Sequence, residues 1–361
     1  MRWPVFAFVA LSITAADSWG AAASADPLPP YRHIFLIILE NRSYEQIIGN
    51  PNAPNINRLA VTYGLASQFY AEVHPSEGNY VAMIGGDTFG IHDDDAWYCT
   101  WGNPDRYCGS QSAIIPYPDH TITARSLVDQ LADHHLSWKG YFENIPLPGS
   151  RQVFYPDRAS PVPGLPSELY ASKHNGFINF KSVQDDPELS QKFVGFDQLD
   201  ADLASGTAPN YAHIIPNQCN DMHGLLVPDV PDDCRGGEAI VRRGDAVVAQ
   251  LVAAIQKSPL WTSPSNAAVV ITFDEGGSAP PGAPQGCCGS DRDSAANFGG
   301  GHIATVVITN HGPRGRVDDT PYNHYSLLRT TDEALGIDEF LGHANDQALG
   351  VKAMSPLFAV P

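Results

Sequence analysis

Near-continuous apolar runs of strand length alternate along the chain with stretches whose apolar residues recur every third or fourth position. "HIFLIILE" (33–40) is apolar at almost every position, the pattern of a strand covered on both faces. "ASQFYAEV" (66–73), "LSWKGYFE" (136–143), "NYAHIIPN" (210–217), "NAAVVITFDE" (266–275) and "GHIATVVITN" (301–310) read as further strands. Between them, helical periodicity marks "TITARSLVDQLADHH" (121–135, opened by a Thr cap), "GGEAIVRRGDAVVAQLVAAIQKS" (236–258) and "YSLLRTTDEALG" (325–336). The alternation predicts an α/β fold, a mostly parallel central sheet with helices on both faces. No internal repeat or shift of composition divides the chain. One domain is therefore expected over 26–361, with loop-rich insertions at 92–120, 144–185 and 277–301.

In open α/β sheets, ligands bind beyond the carboxyl ends of the strands. The first strand here ends at Glu40 and Asn41, and the second runs into "HPSEGN", delivering Ser76 and Asn79. Residues 210–217 lead on to Asn217, Asp221 and His223, and 266–273 to Asp274 and Glu275. His302 opens the strand after the longest loop, and His324 precedes the last helix. Singly, each has an ordinary explanation: a helix cap for Glu40 and Asn41, a turn for Asp274 and Glu275, a loop hydrogen bond for a histidine. Gathered at one rim, these carboxylates would repel one another unless a cation held them. Glu, Asp, Asn and His form an oxygen-plus-imidazole donor set suited to a divalent metal ion, whose identity the residues do not fix.

Ser76 stands where a strand hands over to a helix. Free N–H groups at a helix start favour a phosphoryl group, and a neighbouring metal lowers a hydroxyl's pKa, so Ser76 is the expected nucleophile. Asn79 is expected to face the same pocket and donate to a phosphoryl oxygen, with His302 and His324 as further substrate contacts. This geometry requires an accessible Ser76 hydroxyl within about 10 Å of the Asp274 carboxylate.

Charge narrows the partners. With 40 acidic and 21 basic residues the net charge is −19, which argues against nucleic acid and against anchoring to anionic lipid. The N-terminal 25 residues, one Arg before an apolar run ending in Ala-Ser-Ala, read as a secretory signal peptide too short and interrupted for a membrane span. A secreted or periplasmic location follows, and six cysteines agree with an oxidising destination. Bridges Cys99–Cys108 and Cys219–Cys234 are expected, while the pairing of Cys287 and Cys288 is left open. The chain has no GxSxG elbow, no HExxH and no Walker A loop.

The motifs "ILENRSYEQIIGN", "HPSEGNYVAMIGGDTFG", "YASKHNGFINF", "IIPNQCNDMHG", "RRGDAVVAQLV", "ITFDEGG" and "YNHYSLLRTTDEALGI" run in order from about residue 33 to 337. In these the chain resembles the bacterial and fungal phosphoesterase family of secreted acid phosphatases and phospholipases C, a branch of the alkaline phosphatase superfamily. The likeness is greatest to the short secreted acid phosphatases, some of which act on phosphoinositides. The resemblance implies an alkaline-phosphatase-like fold, metal ligands at Glu40, Asn41, Asp274 and Glu275, and a phosphoserine at Ser76. It also implies Lys173, His174, Asp221 and His223 around the substrate phosphate. Asp245 in "RGDA" is read as structural. Two departures stand out: "HPSEGNY" for the usual "HPSxPNY", with Gly78 expected to loosen the turn, and "NDMHG" for "NDMHD".

The resulting expectation is a secreted, metal-dependent acid phosphatase hydrolysing phosphomonoesters, with Ser76, His223 and Asp221 as its catalytic residues. The competing readings are a phospholipase C-type phosphodiesterase acting on lipid headgroups, and a secreted metal-binding module without turnover.

Overall fold

The fold is organised around one strand, β1 (Tyr31–Leu39), whose residues are buried except Arg32. Such a run needs cover on every side. In the computed structural model it pairs in parallel with β7 (Tyr211–Ile215) and β8 (Asn266–Phe273), which are buried almost throughout. The structure describes Met1 and residues 28–112, 115–156, 168–226, 230–277, 285–290 and 299–359. The expected signal peptide lies outside the described residues.

The nine-stranded sheet also takes β2 (Gly64–Tyr70), β3 (Trp138–Phe142), β6 (Phe193–Val194), β9 (His302–Thr309), β10 (Arg316–Asp318) and β11 (Tyr322–Asn323). Its order is β10-β2-β9-β8-β1-β7-β3-β6, with β11 also on β2, and β4 (Phe154–Tyr155) and β5 (Tyr170–Ala171) form a separate two-stranded piece. Only β9 runs antiparallel to its neighbours, so the architecture is the expected mostly parallel α/β sheet. Its reversed direction brings His302 to the rim where the other strands end.

Most strands differ from the expected ranges by a few residues at their ends, and the largest shift is in a helix. The helix expected over 121–135 spans Leu127–Asp133, opened by Ser126 in a reciprocal capping arrangement with Asp129 rather than by a Thr. Ile122 instead bridges to Phe180. The helices Pro54–Thr62 and Phe196–Ser205 were not legible from periodicity. Asp245, in the long helix Gly237–Lys257, is structural as expected: its carboxylate accepts from the backbone of Asn55 and Ile56 at 3.1 and 2.8 Å, capping Pro54–Thr62. Cys99–Cys108 and Cys219–Cys234 pair as expected, and Cys287 pairs with Cys288. Among the described residues no helix is long and apolar enough to cross a membrane.

Candidate active site

The ends of β1, β7 and β8 are stitched together by backbone. Glu40 N–H donates to the Asp221 carbonyl at 2.8 Å, and Asp274 N–H to that of Leu39 at 2.9 Å. Asn41 takes a left-handed turn (φ 56°), which asparagine tolerates, and its N–H donates to Asp274 Oδ1 at 3.0 Å. Its side-chain amide donates to Glu40 Oε2 at 2.8 Å.

Ser76 reaches this rim from the start of the helix Glu77–Gly85. Its hydroxyl donates to Glu40 Oε2 at 3.2 Å, and the Tyr80 phenol, one turn along, donates to Glu40 Oε1 at 2.7 Å. Gly78 does not loosen this turn. A Cβ there would meet the Ile91 carbonyl at 2.4 Å, so glycine lets a neighbouring segment pack directly on the helix.

Burial first, and then mutual repulsion, push the Glu40 carboxyl well above its ordinary range. Burial and Glu275 raise Asp274 to about 8, although hydrogen bonds from Asn41, Glu40 and Ser76 oppose the shift. Burial and Glu40 likewise raise Asp221. Asp274 Oδ2 and Asp221 Oδ2 are buried without a hydrogen-bond partner. Buried carboxylates in this state fit the donor set of a divalent cation. Glu275 lies beside them but is engaged by His74 Nδ1 at 2.6 Å.

Positive charge comes from loops. Lys173 Nζ bonds Asp94 Oδ2 at 2.7 Å; burial lowers its pKa, but Asp94 and Glu40 outweigh burial and raise it overall. His174 sits with Nε2 3.1 Å from Glu40 Oε1 and Nδ1 3.8 Å from Asp221 Oδ2, its ring stacked on Tyr80. Burial, then Lys173, holds its imidazole well below the ordinary range. His223 lies 6.2 Å from His174 ring to ring, and burial with Lys173 lowers it to about 4. Asp221 Oδ1 accepts the His223 N–H at 2.7 Å, fixing that turn.

Four expectations need correction. Ser76 is within hydrogen-bonding reach of the carboxylates but is only 1% exposed. The chain closes on the helix start: Asp94 Oδ1 accepts from Glu77 N–H at 3.2 Å while its other oxygen holds Lys173. Asn79 braces the turn instead of facing substrate, accepting from Glu72 and Val73 N–H at 2.8 and 3.2 Å and donating to the Val73 carbonyl at 2.9 Å. His302 stacks on Tyr44 at 4.4 Å, with Nε2 3.0 Å from the Ser67 carbonyl, so its ring is engaged by protein groups. His324 is fully buried beneath the rim, with Nε2 3.0 Å from the Phe273 carbonyl.

Residues missed from the sequence include His74, Tyr80, Asp94 and Arg42, whose guanidinium bonds the Asn41 and Met222 carbonyls at 2.7 Å each. His74, Tyr80 and Arg42 sit inside motifs already singled out. Asp94 lies in "HDDD", in an insertion without periodicity, and carried no signal of its own.

A family model described as the phosphoesterase family matches residues 50–338, and the chain belongs to that family. It is thereby a phosphoric ester hydrolase. It is 27% identical over 325 residues to a phosphatidylinositol-3-phosphatase of Mycobacterium tuberculosis, covering 90% of this chain and 83% of the other. Acid phosphatase of Aspergillus fumigatus is 26% identical over 337 residues, covering 90% of this chain and 61% of the fungal one. The fold is similar to that of the sulfatase PsFucS1 from Pseudoalteromonas sp. (TM-score 0.52, 11% identity, 91% of this chain and 76% of the other).

Proposed function

We propose that the chain is a secreted, divalent-metal-dependent acid phosphatase that hydrolyses phosphomonoesters, phosphoinositides among them, through a phosphoserine formed on Ser76. The observation that carries this reading is the Ser76 hydroxyl held 3.2 Å from Glu40 in a cluster of buried carboxylates at a helix start. The relatives named as acid phosphatases and as a phosphatidylinositol-3-phosphatase support the substrate class.

Glu40, Asn41, Asp274 and Glu275 would hold the cation. When bound, it supplies a lower hydroxyl pKa and offsets charge on the phosphoryl group. Glu40 Oε2 orients the hydroxyl, and Tyr80 holds Glu40 in turn. Substrate phosphate displaces Asp94, competing for the same two donors, Glu77 N–H and Lys173. Ser76 Oγ then bonds to phosphorus as the ester P–O bond breaks, its hydroxyl proton passing to Glu40 Oε2, and His223 gives the departing oxygen a proton. Water cleaves the phosphoserine, restoring Ser76 and releasing inorganic phosphate. A His223 imidazole lowered to about 4 is protonated only in acid, which supports an acidic optimum.

Ser76→Ala should remove at least about 10³-fold of kcat/KM toward a chromogenic phosphomonoester while leaving the circular dichroism spectrum unchanged. Acid quench of the wild type with labelled substrate should trap the label on Ser76. Retention of more than a few per cent of activity in Ser76→Ala overturns the nucleophile. Preference for phosphatidylcholine over the monoester would favour the phospholipase C reading.

A further inference from the structure

A second cluster of ionisable side chains begins at Glu77, next to Ser76 in the chain, and the phosphatase chemistry uses none of these side chains. Glu77, Asp93 and His120 are 0, 5 and 0% exposed, and one donor atom from each lies within 4.8 Å of the other two. His120 Nδ1 lies 3.1 Å from Glu77 Oε1, which also accepts from Asn179 Nδ2 at 2.6 Å. His120 Nε2 is 3.1 Å from Asp93 Oδ1, close enough to attract but not aligned for a hydrogen bond. Three buried atoms are left without partners: Glu77 Oε2, Asp93 Oδ2 and His120 Nε2.

From these unpartnered donors we infer that Glu77, Asp93 and His120 form a second divalent-cation site, structural in role and separate from the strand-end cluster. Leaving buried polar atoms unsatisfied is costly, and a cation held by one donor atom from each of these three residues, all within 4.8 Å of one another, would offset that cost. The charges close as well, since two carboxylates balance a divalent ion around a neutral imidazole. His120 Nδ1 donates to Glu77 Oε1, which fixes the tautomer and leaves Nε2, beside Asp93, as the ring's ligand atom, while Glu77 keeps Oε2 to offer. The Asn179 amide steadies that carboxylate, and Tyr117 stacks on the imidazole at 5.7 Å. One imidazole with two carboxylates suits zinc or manganese better than calcium.

The alternative is an imidazolium clamped between the two carboxylates. Burial lowers the His120 pKa, but Glu77 and Asp93 outweigh it and bring it up to about 10. That state leaves one net negative charge buried, with Glu77 Oε2 and Asp93 Oδ2 still lacking a hydrogen-bond partner.

The site would fasten both ends of the 92–120 insertion to the nucleophile helix. Asp93 precedes Asp94, the residue lying across the helix start, and His120 N–H bonds the Cys99 carbonyl at 3.1 Å. Bound cation would therefore set how firmly Asp94 sits against Glu77 and Lys173.

The test is metal stoichiometry. The full chain is stripped with chelator, reloaded with Zn²⁺ or Mn²⁺, desalted and measured by elemental analysis alongside its Tm. The wild type should hold about two equivalents, Asp274→Asn about one, and Glu77→Gln/His120→Gln about one. The last variant should also lose much of the Tm gained on loading, which an imidazolium clamp would not confer. Asp93→Asn, which keeps the Glu77–His120 contact, must lose an equivalent too, and it serves if the double variant does not fold. Unchanged stoichiometry and an unchanged metal-dependent Tm gain in these variants overturn the second site. One equivalent in the wild type, lost only in Asp274→Asn, overturns it while leaving the proposed phosphatase intact. One equivalent lost only in the Glu77, Asp93 or His120 variants supports it and counts against the strand-end metal.

Discussion

The strand-end carboxylates and the loop-borne groups Lys173, His174 and Asp94 meet around Ser76, yet they are built differently. Glu40 and Asp274 sit at the ends of adjacent parallel strands, with their positions fixed by backbone hydrogen bonds between β1, β8 and the turn after β7. Lys173, His174 and Asp94 stand on segments outside the sheet, held by ion pairs and ring stacking. The first set can place atoms within tenths of an ångström because the sheet does not yield. The second can exchange partners, as the proposed mechanism asks of Asp94 when a phosphate arrives. Rigidity is thus concentrated where charge has to be concentrated, and adaptability where substrate enters.

Breaking each side should therefore give a different kinetic result. Asp274→Asn should cost on the order of 10³-fold in kcat/KM, mostly in kcat, and abolish sensitivity to chelators. Lys173→Gln should cost roughly 10- to 100-fold, mostly in KM, because it removes a binding charge and leaves the nucleophile in place. Steady-state kinetics with and without chelator distinguish them. A kcat-dominated loss in Lys173→Gln, with an unchanged KM, would erase the contrast drawn between the two sides.

The same contrast explains which parts of the molecule were legible in the sequence. "HIFLIILE" and "NAAVVITF" announce buried strands, and in a parallel sheet the residue after such a run must lie at the binding rim. That logic places Glu40, Asn41 and Asp274 directly after the ends of β1 and β8, where the structure has them. Asp94 and His120 could not be found in this way. They lie in an insertion whose course depends on the Cys99–Cys108 bridge and on packing against Gly78, neither of which has a period. Asn79 and His324 were misassigned because chain proximity to a motif fixes neither the direction of a side chain nor its partner. Asn79 turned back onto Glu72 and Val73, and His324 was drawn under the rim by the Phe273 carbonyl.

A smaller perturbation should loosen the loop side alone. Cys99→Ser/Cys108→Ser opens a short covalent ring within the insertion and should lower stability by about 2–3 kcal/mol in urea unfolding. Its KM should rise because Asp94 and Lys173 lose their support, while chelator-sensitive turnover at saturating substrate persists. Loss of that turnover in the folded variant would mean that the loop side also positions the strand-end carboxylates.

The smallest predicted effect lies at the seam between the two regions. His213, on β7, is fully buried, and Phe177 from the loop side packs edge-on against its ring at 5.0 Å. Burial lowers its imidazole to about 3, whereas an unfolded histidine titrates near about 6.5. Between those values the unfolded chain binds a proton that the folded chain does not. His213 therefore makes stability fall as pH drops from about 6.5, by at most about 1.4 kcal/mol per pH unit. Buried Glu72, raised to about 8, acts in the opposite sense: its contribution is present below about 4.5 and is lost as pH rises toward 8. Only a difference between variants isolates the histidine. His213→Phe removes the titration and gives up the contact with the Tyr211 hydroxyl at 3.0 Å, a loss that does not vary with pH over this range. Urea midpoints at pH 7 and pH 5 should therefore converge in His213→Phe relative to the wild type, by roughly 1–2 kcal/mol. Parallel pH profiles would show that the seam admits water and that His213 titrates as an ordinary surface imidazole.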